Sequence, residues 1–369
     1  MKILVTGAKG FVGKNLVAQL KNLNQHEVYE YDINTSKDLL EQYCENAEFV
    51  FHLAGVNRPK DETEFMTGNF GFSSELLSIL KEKNNNCPVV LSSSTQAELD
   101  NPYGKSKKAG EDLFRNYSKE TSTDVYIYRF ANLYGKWSRP NYNTVVATFC
   151  YKIARDEEVT VNDPNVIIDF CYIDDVVSEL LRCLVGNPTT IDGFCVVPEI
   201  DSISIGRLKD LIISFKESRK TLSLPELNQR FEKNLYSTYL SFLPEDQFSY
   251  PLKMNIDNRG SFTEFLRTPD RGQVSINISK PGITKGNHWH HTKNEKFLVV
   301  SGTGVIRFRK IDTDEIIEYF VSGEKLEVVD IPVGYTHNIE NLGDNDMVTV
   351  MWVNEVFDPE NPDTYYVEV

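Results

Sequence analysis

A chain of 369 residues is long for one hydrophobic core, so its length predicts two domains. The net charge of -15 argues against a nucleic-acid groove or an anionic membrane surface as the main partner. The chain enters its first predicted strand at once, and no later stretch is apolar for long enough to cross a bilayer. The six cysteines show no Cys-x-x-Cys spacing, which predicts reduced thiols, no disulfides and a cytoplasmic protein.

A glycine triplet with the spacing Gly-x-x-Gly-x-x-Gly follows the first predicted strand and precedes a predicted helix. Glycines at such a junction allow a tight turn, a close approach of the backbone to a pyrophosphate, and close packing of the helix on the strand. The position of the triplet between a strand and a helix therefore predicts a dinucleotide-binding loop. Its predicted cofactor contacts are Gly7, Lys9, Gly10, Phe11, Val12 and Gly13.

The second predicted strand ends in Asp32, a carboxylate placed to bond the ribose hydroxyls of adenosine and to favour NAD over NADP. Lys9, inside the glycine loop, is placed to meet a ribose phosphate instead. The residues alone thus do not decide whether the cofactor is NAD or NADP. The next buried strand runs into Leu53, Ala54 and Gly55, which we also expect to line the cofactor.

Buried strands alternate with helical stretches in this part of the chain, which predicts an α/β Rossmann domain, a doubly wound parallel sheet with helices on both faces. Ligands of such sheets bind at the carboxyl ends of the strands. His52 lies at one such end, but a lone histidine in an apolar run is typical of a hydrogen-bonded structural residue. The pattern between Ser202 and Leu243 is helical, and residues 244–251 are predicted to form a linker.

Tyr103 and Lys107 lie four residues apart, on one face of a predicted helix. A nearby ammonium stabilises the phenolate and lowers the pKa of a tyrosine from its usual ~10. Such a pair can pass a proton to a carbonyl while a nicotinamide supplies hydride. Ser94 or Thr95, at the end of the preceding strand, can hold the same carbonyl oxygen. The alternative is a solvated lysine-rich helix face, which the glycine loop and the upstream serines disfavour.

These motifs resemble those of the extended short-chain dehydrogenase/reductase family, in its nucleotide-sugar branch, over residues 1–243. The resemblance implies a Rossmann fold, a nicotinamide cofactor and a subdomain over a sugar nucleotide, with Tyr103 as the catalytic acid and Lys107 as its partner. A short connection of eight residues separates Ser94 from Tyr103, so the choice between Ser94 and Thr95 stays open. The shared motifs are TGAKGFVG, FHLAG, LSSS, YGKSK, the Arg-x-x-Asn-x-Tyr-Gly that begins at Arg129, and the Tyr-Ile-Asp-Asp-Val that begins at Tyr172.

Short alternating strands with glycine turns begin at residue 252, which predicts an all-β domain over 252–369. Four of the six histidines lie there. His288 and His290 project to one face of a strand, and Glu295 and His337 can converge on them from neighbouring strands. Imidazoles with one carboxylate suit zinc, iron, nickel or manganese, and an open position lets the metal polarise a substrate oxygen. The histidines lie within the chain and are flanked by predicted strands, which argues against a surface cluster of the kind that an affinity tag leaves.

The two histidine-containing segments resemble the two motifs of the cupin family, which implies a jelly-roll barrel. The ligands that this resemblance implies are the same three histidines and glutamate. The second segment departs from the pattern because eight residues separate Gly323 from Pro332. The general base of such a site stays unassigned, since a surface role is expected for each candidate near the motifs. These candidates are Lys285, His291, Lys296 and Tyr335.

The whole chain resembles a family of bifunctional capsule-sugar enzymes. The resemblance implies that the cupin domain epimerises carbon 3 of UDP-2-acetamido-2,6-dideoxy-4-keto-hexose and that the Rossmann domain then reduces carbon 4, giving a UDP-N-acetyl-L-talosamine-type product. This chemistry belongs to UDP-N-acetyl-L-fucosamine and capsular polysaccharide biosynthesis. The resemblance also implies NADPH, zinc and a homodimer, although the Asp32 carboxylate by itself favours NAD over NADP.

Three other functions fit parts of the pattern. A fused 3,5-epimerase and reductase of the dTDP-rhamnose kind has a cupin-like epimerase without metal, which the histidine cluster disfavours. A metal-dependent cupin dioxygenase would hold iron and take up oxygen. A non-catalytic NAD(P)-sensing regulator would only bind the nucleotide, and the presence of both Tyr103 and Lys107 argues against it.

Overall fold

The computed structural model describes residues 1–142 and 144–369, and the chain forms two compact units. The first unit contains Met1–Ile213 and Leu227–Pro244, and the second contains Ser214–Glu226 and Glu245–Val369. Among the described residues, none of the helices combines the length and apolar character that a membrane span requires.

The chain up to Pro244 contains both strands and helices, which alternate over residues 2–130. The strands are β1 (Lys2–Thr6), β2 (Glu27–Tyr31), β3 (Phe49–His52), β4 (Val89–Ser94), β5 (Val125–Phe130), β6 (Asn132–Tyr134), β7 (Ile167–Tyr172), β8 (Thr190–Ile191), β9 (Phe194–Cys195) and β10 (Asp201–Ser204). The helices are α1 (Phe11–Asn22), α2 (Lys37–Asn46), α3 (Thr63–Phe65), α4 (Phe72–Glu82), α5 (Pro102–Thr121), α6 (Val145–Ala154), α7 (Ile173–Cys183), α8 (Ile205–Thr221) and α9 (Arg230–Leu240). A π-helical turn, Met66–Gly71, joins α3 to α4.

The main sheet has seven strands in the order β2-β1-β3-β4-β5-β9-β8. Its neighbouring strands pair in parallel, except that β8 pairs antiparallel with β9 at one edge. A smaller sheet has the order β10-β7-β6. The chain passes from β1 to β2 on one side and then crosses to β3 on the other, so the strand order reverses between β1 and β3. Ligands bind outside the carboxyl ends of the strands at such a reversal.

Apolar side chains cover both faces of the main sheet, which explains the continuous apolar run in β1. Ile3 and Val5 belong to a buried cluster with residues of α1 and α7. Leu4, between them, belongs to a second cluster with residues of α4 and α5. The predicted doubly wound Rossmann-type arrangement of the first unit is thus confirmed, with one antiparallel edge strand that the sequence did not indicate.

From Met254 onward the second unit is built from antiparallel strands in two sheets, which confirms the all-β character predicted for residues 252–369. The strands are β11 (Met254–Asp257), β12 (Gly260–Thr268), β13 (Gly272–Ser279), β14 (Thr284–Trp289), β15 (Glu295–Ser301), β16 (Thr303–Lys310), β17 (Ile316–Ser322), β18 (Val328–Ile331), β19 (Tyr335–Asn341), β20 (Met347–Val353) and β21 (Tyr365–Tyr366). The sheets have the orders β11-β12-β13-β20-β15-β18 and β17-β16-β19-β14-β21. Both sheets contribute side chains, such as Phe297 and Phe308, to one apolar core.

A buried ion pair fastens α5 to the main sheet. Glu111 on α5 has no exposed surface. Arg129 on β5 donates to it from Nε at 2.8 Å and from Nη2 at 2.7 Å, and the hydroxyl of Ser93 on β4 donates at 2.6 Å. Charge-assisted bidentate contacts of this kind are strong and directional. They fix the helix that carries Tyr103 and Lys107.

Removal of this carboxylate is expected to destabilise the protein. Glu111→Ala leaves the Arg129 guanidinium without its buried partner and should lower the free energy of unfolding by about 3 kcal/mol. Glu120→Ala, on the same helix but with a side chain that is 61% exposed, should change it by less than about 0.5 kcal/mol. Urea titrations followed by far-ultraviolet circular dichroism measure both values. Equal losses in the two variants would contradict the importance of the buried pair.

Candidate functional site

The glycine loop joins β1 to α1 at the reversal of strand order. Gly7 has a φ of +68°, and a Cβ there would lie 2.7 Å from the backbone nitrogen of Ala54. A Cβ on Gly13 would overlap the Gly7 carbonyl oxygen. Gly10 donates its N–H to that oxygen at 2.9 Å, and α1 begins at the next residue without a side-chain cap. The loop thus leaves the first amides of α1 open, and it fits a pyrophosphate. Next to it lie the predicted neighbours Phe11, Val12, Leu53 and Ala54.

Asp32, at the end of β2, holds the glycine loop in place. Its Oδ2 accepts the Lys9 amide at 2.8 Å, and its Oδ1 accepts the Ile33 amide at 2.9 Å. The side chain of Lys9 is exposed beside the loop. The sequence predicted a role for Asp32 toward the cofactor, whereas its position in the structure shows in addition a role toward the backbone of the loop.

Tyr103 and Lys107 meet between α5 and β4. The Lys107 Nζ donates to the carbonyl of Ser92 at 2.9 Å and lies 5.9 Å from the centre of the Tyr103 ring. Burial lowers the pKa of Lys107 to about 8, although Glu111 opposes this. Burial raises the pKa of Tyr103, opposed by its hydrogen bond with Ser94. The depression of the Tyr103 pKa that the spacing predicted is therefore absent, because desolvation of the phenol outweighs its stabilising contacts.

The structure separates the two hydroxyls that the sequence left open. Ser94 is buried at the end of β4 and forms the hydrogen bond with the Tyr103 phenol. Thr95 begins a short 3-10 turn and has an exposed side chain. The geometry brings Ser94, and not Thr95, to the phenol.

Asn69 links the loop after β3 to α5, and sequence reasoning missed it. Its Oδ1 accepts the Val56 amide at 2.8 Å, and its Nδ2 donates to the Val56 carbonyl and the Ser106 hydroxyl, each at 2.9 Å. A Cβ on Gly55 would lie 2.9 Å from this Oδ1 and 3.2 Å from the Lys107 Nζ, so the glycine leaves room for both groups. Asn69 belongs to the π-helical turn, a feature that recurs at functional sites but leaves no clear periodicity in a sequence.

His52 is buried and has a hydrogen-bonding partner at each ring nitrogen. Its Nδ1 lies 2.8 Å from the Thr6 hydroxyl and its Nε2 lies 2.9 Å from the Ser73 hydroxyl. Ser73 donates its one hydroxyl proton to the Asn69 carbonyl, so the His52 Nε2 must be the donor to Ser73. Burial lowers the pKa of His52 to about 3. A neutral, fully bonded ring agrees with the expected structural role.

The Tyr-Ile-Asp-Asp-Val segment runs from the end of β7 into α7, where Tyr172, Asp174 and Asp175 line a cavity of the first unit. This cavity has a volume of about 470 Å³ and is also lined by residues 227–230, Lys233 and Asn234. Asp175 in the segment forms an ion pair with Arg230, which also donates to Asp201 at 3.0 Å. Asp174 pairs with Lys136. The two carboxylates of the motif thus hold cations in fixed positions.

Three histidines and a glutamate converge in the second unit. His288 lies on β14, His290 just after it, Glu295 on β15 and His337 on β19. One possible ligand atom from each lies within 4.8 Å of the others. The Glu295 Oε2 lies 3.1 Å from the His337 Nε2 and 3.6 Å from the His290 Nε2. The structure therefore brings together all four predicted ligands.

The chemistry of this cluster fits a metal ion. The buried His290 Nε2, Glu295 Oε2 and His337 Nε2 have no hydrogen bond of good geometry, which is unusual for buried polar atoms. The His290 Nδ1 donates its N–H to the Asp363 carbonyl, so in the neutral ring the lone pair lies on the His290 Nε2, which points into the cluster. Burial would raise the pKa of Glu295, but its histidine neighbours hold it down at about 2. Burial lowers the pKa of His288 to about 4. An anionic carboxylate among imidazoles suits zinc.

The cluster lies in a cavity of about 750 Å³. Of the four candidate bases near the motifs, Lys285 lines this cavity. His291 packs against Trp289, with ring centres 4.4 Å apart. Lys296 pairs with an exposed aspartate, and Tyr335 packs against the apolar core. Of the four candidates, Lys285 is therefore the one that lines the cavity of the metal-ligand cluster.

Comparison with known families identifies both units. The NAD dependent epimerase/dehydratase family matches residues 3–189. The chain belongs to the NAD dependent epimerase/dehydratase family. Membership of this family supports a nicotinamide cofactor for the first unit. The Polysaccharide biosynthesis C-terminal domain matches residues 255–365 of this epimerase/dehydratase family member.

The similarity to known proteins extends over the whole chain. This family member is 44% identical over 369 residues to the UDP-2-acetamido-2,6-beta-L-arabino-hexul-4-ose reductase of Pseudomonas aeruginosa, covering 100% of this chain and 99% of the relative. It is 60% identical to the crystal structure of the capsular polysaccharide assembling protein CapF of Staphylococcus aureus, with a TM-score of 0.96 and 100% of both chains covered. The resemblance to bifunctional capsule-sugar enzymes is thereby confirmed.

A more distant neighbour shares the fold of the first part of the chain. The UDP-glucuronic acid 4-epimerase of Bacillus cereus, solved with UDP-glucuronic acid and NAD, is 19% identical with a TM-score of 0.56. The similarity covers 66% of this chain and 99% of the epimerase. At this identity the comparison shows the fold alone.

The histidine cluster is expected to retain a metal ion through purification. His337→Ala removes a ligand of the cluster and should abolish the stoichiometric metal content measured by elemental analysis. His291→Ala, which alters an exposed histidine one residue beyond His290, should retain it. Equal metal content in the two variants would contradict the assignment of ligands.

Proposed function

We propose that this family member is a bifunctional UDP-sugar enzyme of capsular polysaccharide biosynthesis. In this proposal the second unit, a cupin, epimerises carbon 3 of UDP-2-acetamido-2,6-dideoxy-4-keto-hexose, and the first unit reduces the ketone with NADPH to a UDP-N-acetyl-L-talosamine-type product. The observation that carries it is the Ser94–Tyr103–Lys107 group and the three-histidine, one-glutamate cluster in a single chain. Full-length similarity to a UDP-4-keto-sugar reductase supports the substrate class. Zinc and a homodimer are parts of the same proposal.

Reduction uses the buried phenol of Tyr103 as the proton donor to the ketone oxygen. When bound, the nicotinamide supplies the hydride to carbon 4. Because the pKa of Tyr103 is raised, the phenol stays protonated at neutral pH and ready to donate. Ser94 orients the phenol and is placed to bond the same oxygen. The buried ammonium of Lys107 stabilises the phenolate that proton transfer leaves behind.

The preference for NADPH rests on the surroundings of the glycine loop. Lys9 is exposed there and can meet a ribose phosphate. Each carboxylate oxygen of Asp32 already accepts a hydrogen bond from a backbone amide. These hydrogen bonds reduce the repulsion between the Asp32 carboxylate and a nearby phosphate. These contacts support NADPH over NADH.

Epimerisation uses the acidity of the hydrogen on carbon 3, next to the ketone. When bound in the cluster, the metal polarises the ketone oxygen as a Lewis acid. Loss of the hydrogen and return of a proton to the opposite face inverts carbon 3. Reduction removes the ketone and with it the acidity of this hydrogen, so epimerisation must come first.

Experiments in deuterium oxide should allow the epimerase and reductase activities to be measured independently. Without NADPH, the protein should place deuterium at carbon 3 of the UDP-4-keto-6-deoxy-N-acetyl sugar, followed by NMR. His337→Ala should abolish this exchange because the cluster no longer holds its metal. Tyr103→Phe should retain the exchange but reduce NADPH oxidation by about 10²- to 10⁴-fold, the usual contribution of a general acid.

His291→Ala serves as the control for this experiment, since its side chain lies outside the cluster. Normal NADPH oxidation without any exchange in the unmodified protein would refute the epimerase half of the proposal. Unimpaired NADPH oxidation in Tyr103→Phe would refute the reductase half.

Reduction is also expected to slow as pH rises through about 8, the pKa of Lys107. The charged form of Lys107 stabilises the Tyr103 phenolate, and this form is lost above its pKa. Because burial depresses that pKa, the loss begins well below the ordinary range of lysine. Profiles of kcat/KM against pH measure the effect. Lys105→Met, whose lysine side chain is 67% exposed, should leave the profile unchanged. A rate that stays constant into the ordinary range of lysine would rule out this role.

A further inference from the structure

The cavity of the second unit contains a lysine that the metal-ligand cluster does not use. Lys285 lies on β14, three residues before His288, and both side chains line the cavity. In a regular strand, successive side chains alternate between the two faces. Regular alternation would therefore place Lys285 and His288 on opposite faces of β14.

A β-bulge at Asn287 brings both side chains to the same face. The register of β14 and β19 is Lys285 with Ile339, Gly286 with Asn338, and His288 with His337. Asn287 is thus an extra residue without a partner in the ladder, and its φ of +56° lies in the left-handed region. Ile339 and His337 are two residues apart on β19 and share a face. Lys285 and His288, which pair with them, share that face as well.

The bulge is held by specific contacts. The Asn287 Oδ1 accepts a hydrogen bond from the Asn338 Nδ2 at 2.9 Å. The Asn287 backbone carbonyl accepts the Val367 amide at 3.0 Å. These contacts hold the bulge in place, and the shifted register of β14 directs the Lys285 side chain into the cavity.

The amine of Lys285 is placed to act as a base. Its Nζ donates to the Asn277 Oδ1 and to the Ile278 carbonyl, each at 2.8 Å. A neutral amine has two N–H groups, so these two acceptors use both and leave its lone pair for the cavity. Among the described residues, no carboxylate forms an ion pair with Lys285. Burial lowers the pKa of Lys285, with Asp257 opposing and Arg259 adding to the effect. Asp257 and Arg259 pair with each other at 2.6 Å.

Lys293 is the other lysine among the described residues that line this cavity. Its Nζ donates to the Pro362 carbonyl and lies 3.7 Å from a carboxylate oxygen of Glu355. It also lies 5.6 Å from the centre of the Phe357 ring. These contacts place the Lys293 amine against a carboxylate and an aromatic ring. Within the part of the chain that the structure describes, Lys285 has neither a carboxylate in an ion pair nor an aromatic ring as a partner, and it is therefore the better base.

We propose that Lys285 is the general base of the carbon 3 epimerisation, an inference that rests on the function proposed for the second unit. Two ladder positions separate Lys285 from His288, about 7 Å along the strand, a separation that a lysine side chain and a sugar ring can span. The Lys285 amine thus approaches carbon 3 when the ketone oxygen points to the histidine cluster.

Epimerisation removes one proton from carbon 3 and returns one proton to the opposite face of the same carbon. The Lys285 amine takes the hydrogen of carbon 3 as a proton, and the C–H electron pair becomes the second, π bond between carbons 3 and 4. The electron pair of the C=O π bond moves to the oxygen, so the ketone becomes an enolate. Water in the cavity then protonates carbon 3 on the opposite face while the ketone re-forms. The hydroxide that remains takes the proton from the Lys285 ammonium, which restores the amine. The sugar gains an inverted centre and nothing is oxidised or reduced.

The test is deuterium exchange at carbon 3, measured on the zinc-loaded full chain without NADPH. Lys285→Met should slow the exchange by about 10²- to 10⁴-fold, the usual contribution of a general base. Zinc content and thermal melting identify variants that keep the fold. Lys325→Met, in which a lysine side chain that is 78% exposed is replaced, should exchange at the rate of the unmodified protein.

Two further measurements distinguish a base from a structural lysine. Lys285→Arg preserves a cation but not a base at neutral pH, and it should lose exchange as Lys285→Met does. Exchange by Lys285→Ala should recover with added methylamine, and the recovered rate should rise with pH as the free amine forms. These two variants carry the test if Lys285→Met fails to fold.

The possible results separate this inference from the proposed function. Exchange that is lost in Lys285→Met and restored to Lys285→Ala by methylamine is the expected result. Exchange at the normal rate in Lys285→Met, or activity of Lys285→Arg, overturns the role of Lys285 and leaves the epimerase standing. Failure of methylamine to restore any exchange also overturns it. Absence of exchange in the unmodified protein instead overturns the function proposed for the second unit.

Discussion

The close approach of Gly7 to Ala54 determines where the first unit can bind a ligand. With no side chain on Gly7, the ends of β1 and β3 lie side by side at the point where strand order reverses. The amides at the start of α1 open onto this edge of the sheet. Ser94, at the same end of β4, reaches it as well. A larger residue at position 7 would push the two strand ends apart, and the glycine loop and Ser94 would no longer share one edge.

Spacing along the chain predicted the elements of this site but not its electrostatics. The glycine triplet and the four-residue interval between Tyr103 and Lys107 depend on local geometry, which a sequence reveals directly. The raised pKa of Tyr103 depends on burial by distant segments, and the sequence does not show which effect is larger. The choice of Ser94 over Thr95 depends on where β4 ends. Asn69 was missed because a π-helical turn breaks the regular period by which helical faces are read.

In the second unit, regular strand alternation predicted one pair of site residues and would have misplaced another. His288 and His290 are two residues apart and share a face, as alternation requires. Lys285 is an odd number of residues from His288, so alternation places it on the other face. One extra residue at Asn287 shifts the register and reverses that assignment. The bulge depends on pairing with β19, and its local signal is the Gly286–Asn287 pair inside the strand, both of whose residues have positive φ.

The chemistry proposed for the two units gives a physical reason for their presence in one chain. Epimers at a carbon next to a ketone interconvert through the same enolate, so epimerisation alone yields a mixture whose proportions depend on the relative stability of the two sugars. Reduction destroys the ketone and ends the exchange. The stereochemistry of the product then depends on which epimer the Tyr103 site reduces faster, and a small difference in the free energies of the two transition states is sufficient, because about 1.4 kcal/mol gives a tenfold preference. In this proposal the cupin makes both epimers available, and the reductase selects between them.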